Sequence, residues 1–242
     1  MPESAAPAPL HVIASGGFRT AYQLVLPAFE QQTGIRVSTG AGASQGKTPD
    51  VIGTQLRRGV TADMVIMSRE GLDELVAEGR LIAGSVVDLA CTPTGVAVRA
   101  GAAVPDISSV EAFRQTLLRA RSISYPASTT GFYLADRLFP RLGIAEALAG
   151  KCSTRHVSTL VSDNVELAIR PASELLNVEG LHYVGPIPDA VQFISVFSAA
   201  IVSGSTQIAA ATRLIDYLAS DATTFAVTKA GMQRPLNNDR SL

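Results

Sequence analysis

Gly40-Ala41-Gly42-Ala43-Ser44-Gln45-Gly46-Lys47-Thr48-Pro49 follows a β-branched run, Ile35-Arg36-Val37-Ser38-Thr39, and leads into a helical pattern over residues 49–58. Three glycines let the backbone approach a ligand without a Cβ penalty. Ser44, Lys47 and Thr48 bring two hydroxyls and a cation to the expected start of a helix. Free N–H groups there, and the positive end of the helix dipole, favour an anion. The spacing Gly-x-x-x-Gly-Lys-Thr is one residue shorter than a nucleotide phosphate loop, and Pro49 stands where such a helix would continue. The stretch therefore predicts a site for a small anion. Its alternative reading is an ordinary turn of small residues between strand and helix.

Outward from this stretch the pattern is regular. Leu10-His11-Val12-Ile13-Ala14 reads as a buried strand and Ser15-Gly16-Gly17 as a turn. Residues 18–32 repeat apolar side chains at helical spacing, and Gly34 closes that helix. Asp63-Met64-Val65-Ile66-Met67 predicts a third strand, with Ser68 capping the next helix. The order βαβαβα predicts a parallel sheet flanked by helices. Ser15, Ser44 and Ser68 each fall just past the carboxyl end of a strand, the edge where open α/β sheets bind ligands.

A second unit is expected from about residue 91. There Thr92-Pro93-Thr94-Gly95 interrupts an extended segment. Ser122-Ile123-Ser124-Tyr125 predicts a strand, Pro126-Ala127-Ser128-Thr129-Thr130-Gly131 a hydroxyl-rich turn, and residues 132–142 a helix. This repeats the device of the first unit. Val165-Glu166-Leu167-Ala168-Ile169 predicts a strand that delivers Arg170 at its end, facing a cleft. A surface ion pair with Glu166 or Glu174 is the competing reading. Gly185-Pro186-Ile187-Pro188 marks the return, followed by a strand over 193–202 and helices over 208–219 and 222–230.

Composition narrows the function. The chain has 242 residues, a formal charge of −1 and 47% hydrophobic residues, enough for one large domain or two lobes with cores. No basic block stands out and there is no Trp, which argues against nucleic acid. The three histidines and two cysteines, Cys91 and Cys152, are dispersed, so no metal site and no cofactor are expected. The cysteines are read as two buried thiols, with a disulfide as the alternative. A hydrolytic triad has no supporting motif. No apolar run reaches the roughly 18 residues of a membrane span. Residues 1–9 read as a disordered segment without a signal-peptide pattern. The expected location is the periplasm if a signal was trimmed, and the cytoplasm otherwise.

These phrases together resemble the type II periplasmic binding proteins, in the molybdate-binding branch. The carriers are Ala14-Ser15-Gly16-Gly17, Phe29-Glu30-Gln31-Gln32-Thr33-Gly34-Ile35, Gly42-Ala43-Ser44-Gln45-Gly46, residues 58–68, Leu72-Asp73-Glu74-Leu75, Ser128-Thr129-Thr130-Gly131 and Lys229-Ala230-Gly231-Met232. The resemblance implies a two-lobed α/β fold, each lobe a mixed sheet flanked by helices, with a ligand cleft between them. Residues 10–90 plus 195–242 would form lobe one and residues 91–194 lobe two. By position it implies ligand hydroxyls from Ser15, Ser44 and Ser128, with Thr129 and Thr130 beside the last.

Molybdate sites of the family are largely neutral, whereas here Arg19, Lys47 and Arg170 accompany the hydroxyls. Guanidinium forks match planar carboxylates, so the expected ligand is a small organic di- or tricarboxylate. The loop Gly42–Pro49 and the segments 58–67 and 98–102 are also similar to the aconitate isomerase subgroup, which implies a double-bond shift in a polycarboxylate. Three functions are therefore carried, the first two being anion binding, with a membrane transporter as partner if the chain is exported, and isomerisation. The third is a molybdate or oxyanion component of an ABC transporter. An isomerase needs a base, and no Glu or Asp reads as part of a site loop. Lys47 and Tyr133 are the weak candidates.

Overall fold

The computed structural model describes residues 8–155, 159–176 and 178–235. The expected disorder over residues 1–9 falls largely outside them. The chain runs β1 (Leu10–Ser15), α1 (Gly16–Thr33), β2 (Val37–Gly42), α2 (Ile52–Arg57), β3 (Met64–Ser68), α3 (Arg69–Ala77), β4 (Val87–Arg99), α4 (Val110–Arg119), β5 (Ile123–Ser124) and α5 (Thr129–Tyr133). It continues through a π-helical turn (Leu134–Leu138), α6 (Phe139–Arg141), α7 (Ala145–Leu148), β6 (Cys152–Ser153), β7 (Leu167–Pro171), α8 (Ala172–Leu175), β8 (Leu181–Pro186), β9 (Ile194–Ile201), α9 (Ile208–Ala219) and α10 (Thr224–Lys229).

The contacts divide the chain into two compact units. The first holds the residues up to Leu89 and Phe197–Ala226, and the second Ala90–Val196 and the residues from Val227. In the first unit β1 pairs in parallel with β2 and β3, and the last five residues of β9 pair antiparallel with β3. One layer of core packs Ile13, Ile52, Leu56, Val65, Met67, Leu72 and Leu75. The α1 side chains Phe18, Tyr22 and Phe29 are buried as well, and Phe29 meets the Tyr217 ring of α9 at 5.4 Å. Each such side chain contributes about 1.5–3 kcal/mol of hydrophobic stabilisation.

In the second unit β4 pairs antiparallel with β7 and β8, and β5 pairs in parallel with β6 and β7. Its core includes Phe113, Leu117, Ile123, Leu134, Leu138 and Ile169. Residues 227–235, expected in the first lobe, belong with this unit. Cys91 and Gln233 exchange backbone hydrogen bonds, and the Thr92 hydroxyl donates to the Gly231 carbonyl. These contacts join positions far apart in sequence. Among the described residues Cys91 and Cys152 are free thiols, half-buried rather than fully so.

Two local expectations shift. β2 continues through the glycine stretch as far as Gly42, because pairing with β1 (Ile13 with Gly40, Ser15 with Gly42) supplies the ladder bonds. A Cβ on Gly42 would lie 2.7 Å from the Asp50 carbonyl oxygen, so glycine is required there by space. The following helix, α2, starts only at Ile52, so Lys47 and Thr48 lie in a bend and not at a helix start. β7 likewise runs to Pro171, which places Arg170 inside the strand, opposite Gly95.

Candidate functional site

The carboxyl edge of the parallel strands in the first unit gathers most of the expected hydroxyls. β1 ends at Ser15, which precedes the 18-residue α1. Ser15 has the extended backbone of an N-cap, yet its side chain makes no capping bond. Its Oγ is buried and has no hydrogen-bond partner among the described residues, the residue being 3% exposed. Leaving a buried hydroxyl unpaired costs about 1–3 kcal/mol, and the Ser15 Oγ carries that cost at the start of α1. The Phe197 ring covers Gly17, where a Cβ would come within 2.0 Å of the ring.

Ser44 reaches the same edge. Its Oγ accepts from the Ser68 N–H at 2.9 Å. Ser68 itself caps α3, accepting from the Gly71 N–H at 3.5 Å. Gly71 packs so closely that a Cβ would meet the Ser44 carbonyl oxygen at 2.6 Å. The start of α3 is pinned by charge: Arg69 pairs with Asp73 at 2.8 Å and Asp88 at 2.9 Å, and the Ser198 hydroxyl donates to Asp88 at 2.6 Å. Arg19, in the first turn of α1, and Lys47, in the bend, are both exposed.

The second unit presents a parallel arrangement with different bonding. After β5, the backbone folds tightly around Gly131, where a Cβ would lie 1.8 Å from the Pro126 carbonyl oxygen. Ser128 has extended backbone at the start of α5 and makes no side-chain cap. Thr129 and Thr130 are buried, and the Thr130 and Ser195 hydroxyls bond each other at 3.1 Å. The Tyr133 hydroxyl donates to the Val191 carbonyl at 2.8 Å, and its ring stacks on Phe193 at 4.8 Å. Burial raises the Tyr133 pKa, with Arg141 opposing the rise.

Arg170 is buried at 3% exposure. One guanidinium nitrogen pairs with Glu174 at 3.2 Å and another donates to the Arg155 carbonyl, while its Nε has no partner among the described residues. Two of its donors are thus committed to the protein.

The sequence reading missed three groups at these edges. Ser124 and Ser173 carry buried Oγ atoms without partners, but serine in a short strand or short helix gives no distinguishing signal. Glu70, in the first turn of α3, looks in sequence like any acidic residue that favours a helix start. Partial burial of its carboxyl raises its pKa, even though the residue as a whole is exposed. Its own backbone N–H opposes that rise, Asp73 adds to it and Arg69 opposes it. Among the described residues no group of three or more His, Cys, Asp or Glu is placed to hold a metal. No helix among them is long and apolar enough to cross a membrane.

Mixed α/β units that present hydroxyls and helix starts at the carboxyl ends of strands share the fold of solved periplasmic molybdate-binding proteins. The chain belongs to the bacterial extracellular solute-binding proteins, whose family model matches residues 10–233. It is 38% identical over 228 residues to an aconitate isomerase from a Pseudomonas species, covering 93% of this chain and 87% of that one. Among solved structures, the sulfate-binding protein SubI from Mycobacterium tuberculosis H37Rv matches with a TM-score of 0.75 at 21% identity, over 96% of this chain and 88% of that one. The Azotobacter vinelandii periplasmic molybdate-binding protein matches with a TM-score of 0.74 at 18% identity, over 94% and 100%. At those identities the two structures speak for the fold alone.

Proposed function

We propose that the protein binds a small organic polycarboxylate and shifts its carbon–carbon double bond, as an aconitate isomerase does. The observation that carries this reading is the 38% identity to an aconitate isomerase across nearly the whole chain. Ser15 and Ser44 are the hydroxyls proposed to bind ligand in the first unit, and Ser128, Thr129 and Thr130 are the corresponding groups in the second. Arg19 and Lys47 add positive charge, which suits a multiply charged carboxylate better than a neutral hydroxyl site would. Arg170 keeps a weaker claim, through its unpartnered Nε.

The chemistry is an allylic proton shift. A base removes a proton from the methylene carbon, and the electron pair moves through the double bond onto a carboxylate as a dienolate. The proton then returns at the former vinyl carbon. Donors fixed before the reaction, such as the α1 N–H groups and the serine hydroxyls, stabilise the charge as it develops. Water exclusion strengthens those bonds.

The second reading is binding without turnover, on behalf of a membrane transporter. The solute-binding family itself favours it. Proton NMR of the protein with cis-aconitate in deuterated water separates the two. The isomerase reading predicts that the trans isomer appears, with deuterium entering the substrate wherever the base exchanges its proton with solvent before returning it. Thermal stabilisation by polycarboxylates with no turnover in either direction would reject it in favour of binding.

A further inference from the structure

The isomerase reading needs a base that neither Lys47 nor Tyr133 supplies well. Lys47 is exposed in a bend, and Tyr133 spends its hydroxyl proton on the Val191 carbonyl with a pKa moved upward. We propose that Glu70 is the residue that takes and returns the substrate proton. This rests on the isomerase reading and adds to it a named catalytic group.

Placement is the first argument. Glu70 lies two residues past the end of β3, between Ser68 and Gly71, both of which touch Ser44. The register of β1 against β3, Ala14 beside Ile66, brings Ser15 next to Met67 at that same edge. Glu70, in the first turn of α3, therefore stands on the same strand-end edge as the hydroxyls proposed to hold the ligand.

Freedom is the second argument. The adjacent cation, Arg69, is taken by Asp73 and Asp88. Glu74 accepts from Gln45, and Glu78 pairs with Arg57 and Arg80. Glu70 accepts from its own backbone N–H and forms no ion pair among the described residues. Its backbone is nevertheless held firmly, because Arg69, Ser68 and Gly71 anchor the turn on both sides. A fixed backbone with an uncommitted carboxylate is what a proton carrier requires.

Electrostatics agrees. Partial desolvation of the carboxyl lifts its pKa, which brings a general base closer to working pH. The balance is simple. Glu70 accepts the methylene proton, the double bond moves one carbon, and Glu70 gives the proton back to the former vinyl carbon. No oxidant or co-reactant is needed.

The test uses the full chain and its Glu70→Gln and Glu70→Asp variants, with cis- and trans-aconitate as probes. The residue is exposed and its carboxyl bonds only its own backbone N–H among the described residues, so both variants are expected to keep the wild-type Tm, apart from the small loss of a helix-start charge in Glu70→Gln. For Glu70→Gln, kcat falls by about 100-fold or more, the usual weight of general acid–base catalysis. The Tm rise caused by saturating trans-aconitate is retained. Glu70→Asp keeps intermediate activity. The acid limb of the wild-type kcat/KM profile lies above the ordinary carboxylate value, since the base works only when deprotonated, and it vanishes from the residual activity of Glu70→Gln. A Glu70→Gln enzyme with kcat within about 3-fold of wild type overturns the proposal and leaves the isomerase reading standing. So does a variant that loses activity together with the ligand-induced Tm rise. Wild-type protein that converts neither isomer sinks both.

Discussion

The two hydroxyl-rich edges start from the same device, a strand followed by a small turn and a helix, and they use it differently. In the first unit Ser15 Oγ is buried without a partner, and the nearby cations Arg19 and Lys47 stand exposed. In the second unit Thr130 is bonded to Ser195, and the cation Arg170 is buried against Glu174 and the Arg155 carbonyl. The first edge leaves Ser15 unbonded while Ser44 is taken by the Ser68 N–H. The second commits Thr130 and most of Arg170 to the protein while Ser124 and Ser173 keep unpartnered hydroxyls among the described residues. A similar sequence pattern therefore does not imply a similar division between stability and binding.

The largest effect that tests this contrast is expected at Arg170. Its side chain is 4% exposed and that of Glu174 19%. Removing one partner of a buried pair typically costs about 3–5 kcal/mol, because the other charge is left unpaired. Arg170→Ala should lower stability in urea unfolding by about that amount. A stable variant whose affinity for polycarboxylates alone has fallen would show that Arg170 serves the ligand and would erase the contrast.

A smaller and opposite effect is expected at Ser15. Ser15→Ala removes a buried hydroxyl that no group among the described residues satisfies, so stability should hold or rise slightly. Affinity for a polycarboxylate should fall about 10-fold, equivalent to about 1.4 kcal/mol of lost hydrogen bonding. Calorimetry on the purified variant measures both. A loss of stability with unchanged affinity would mean that Ser15 is structural and that the two edges are alike.

Much of the first unit was legible in sequence. The buried runs 10–14 and 63–67, the closing Gly34 and the capping Ser68 each carry a local signal. Gly34 adopts φ 71°, with its N–H on the Glu30 carbonyl, and the Ser68 Oγ accepts from Gly71. What stayed hidden depends on partners distant in the chain. The glycines of β2 look like a loop until β1 supplies their ladder. Arg170 looks like the end of a strand because Pro171 follows, yet Thr94 pairs with that proline as the last residue of β7. The packing of residues 227–235 on the second unit rests on the Cys91–Gln233 bridge, which no local pattern announces. Glu70 was hidden for another reason: at a helix start its chemistry and its helix-favouring role look the same in sequence.

The account depends on the ligand being an organic polyanion bound through hydroxyls, N–H groups and exposed cations. Isothermal titration of the intact protein with trans-aconitate, molybdate and sulfate in one buffer tests this directly. The tricarboxylate should bind at least about 10-fold more tightly than either tetrahedral oxyanion, a preference of about 1.4 kcal/mol. Tighter binding of molybdate or sulfate would contradict it.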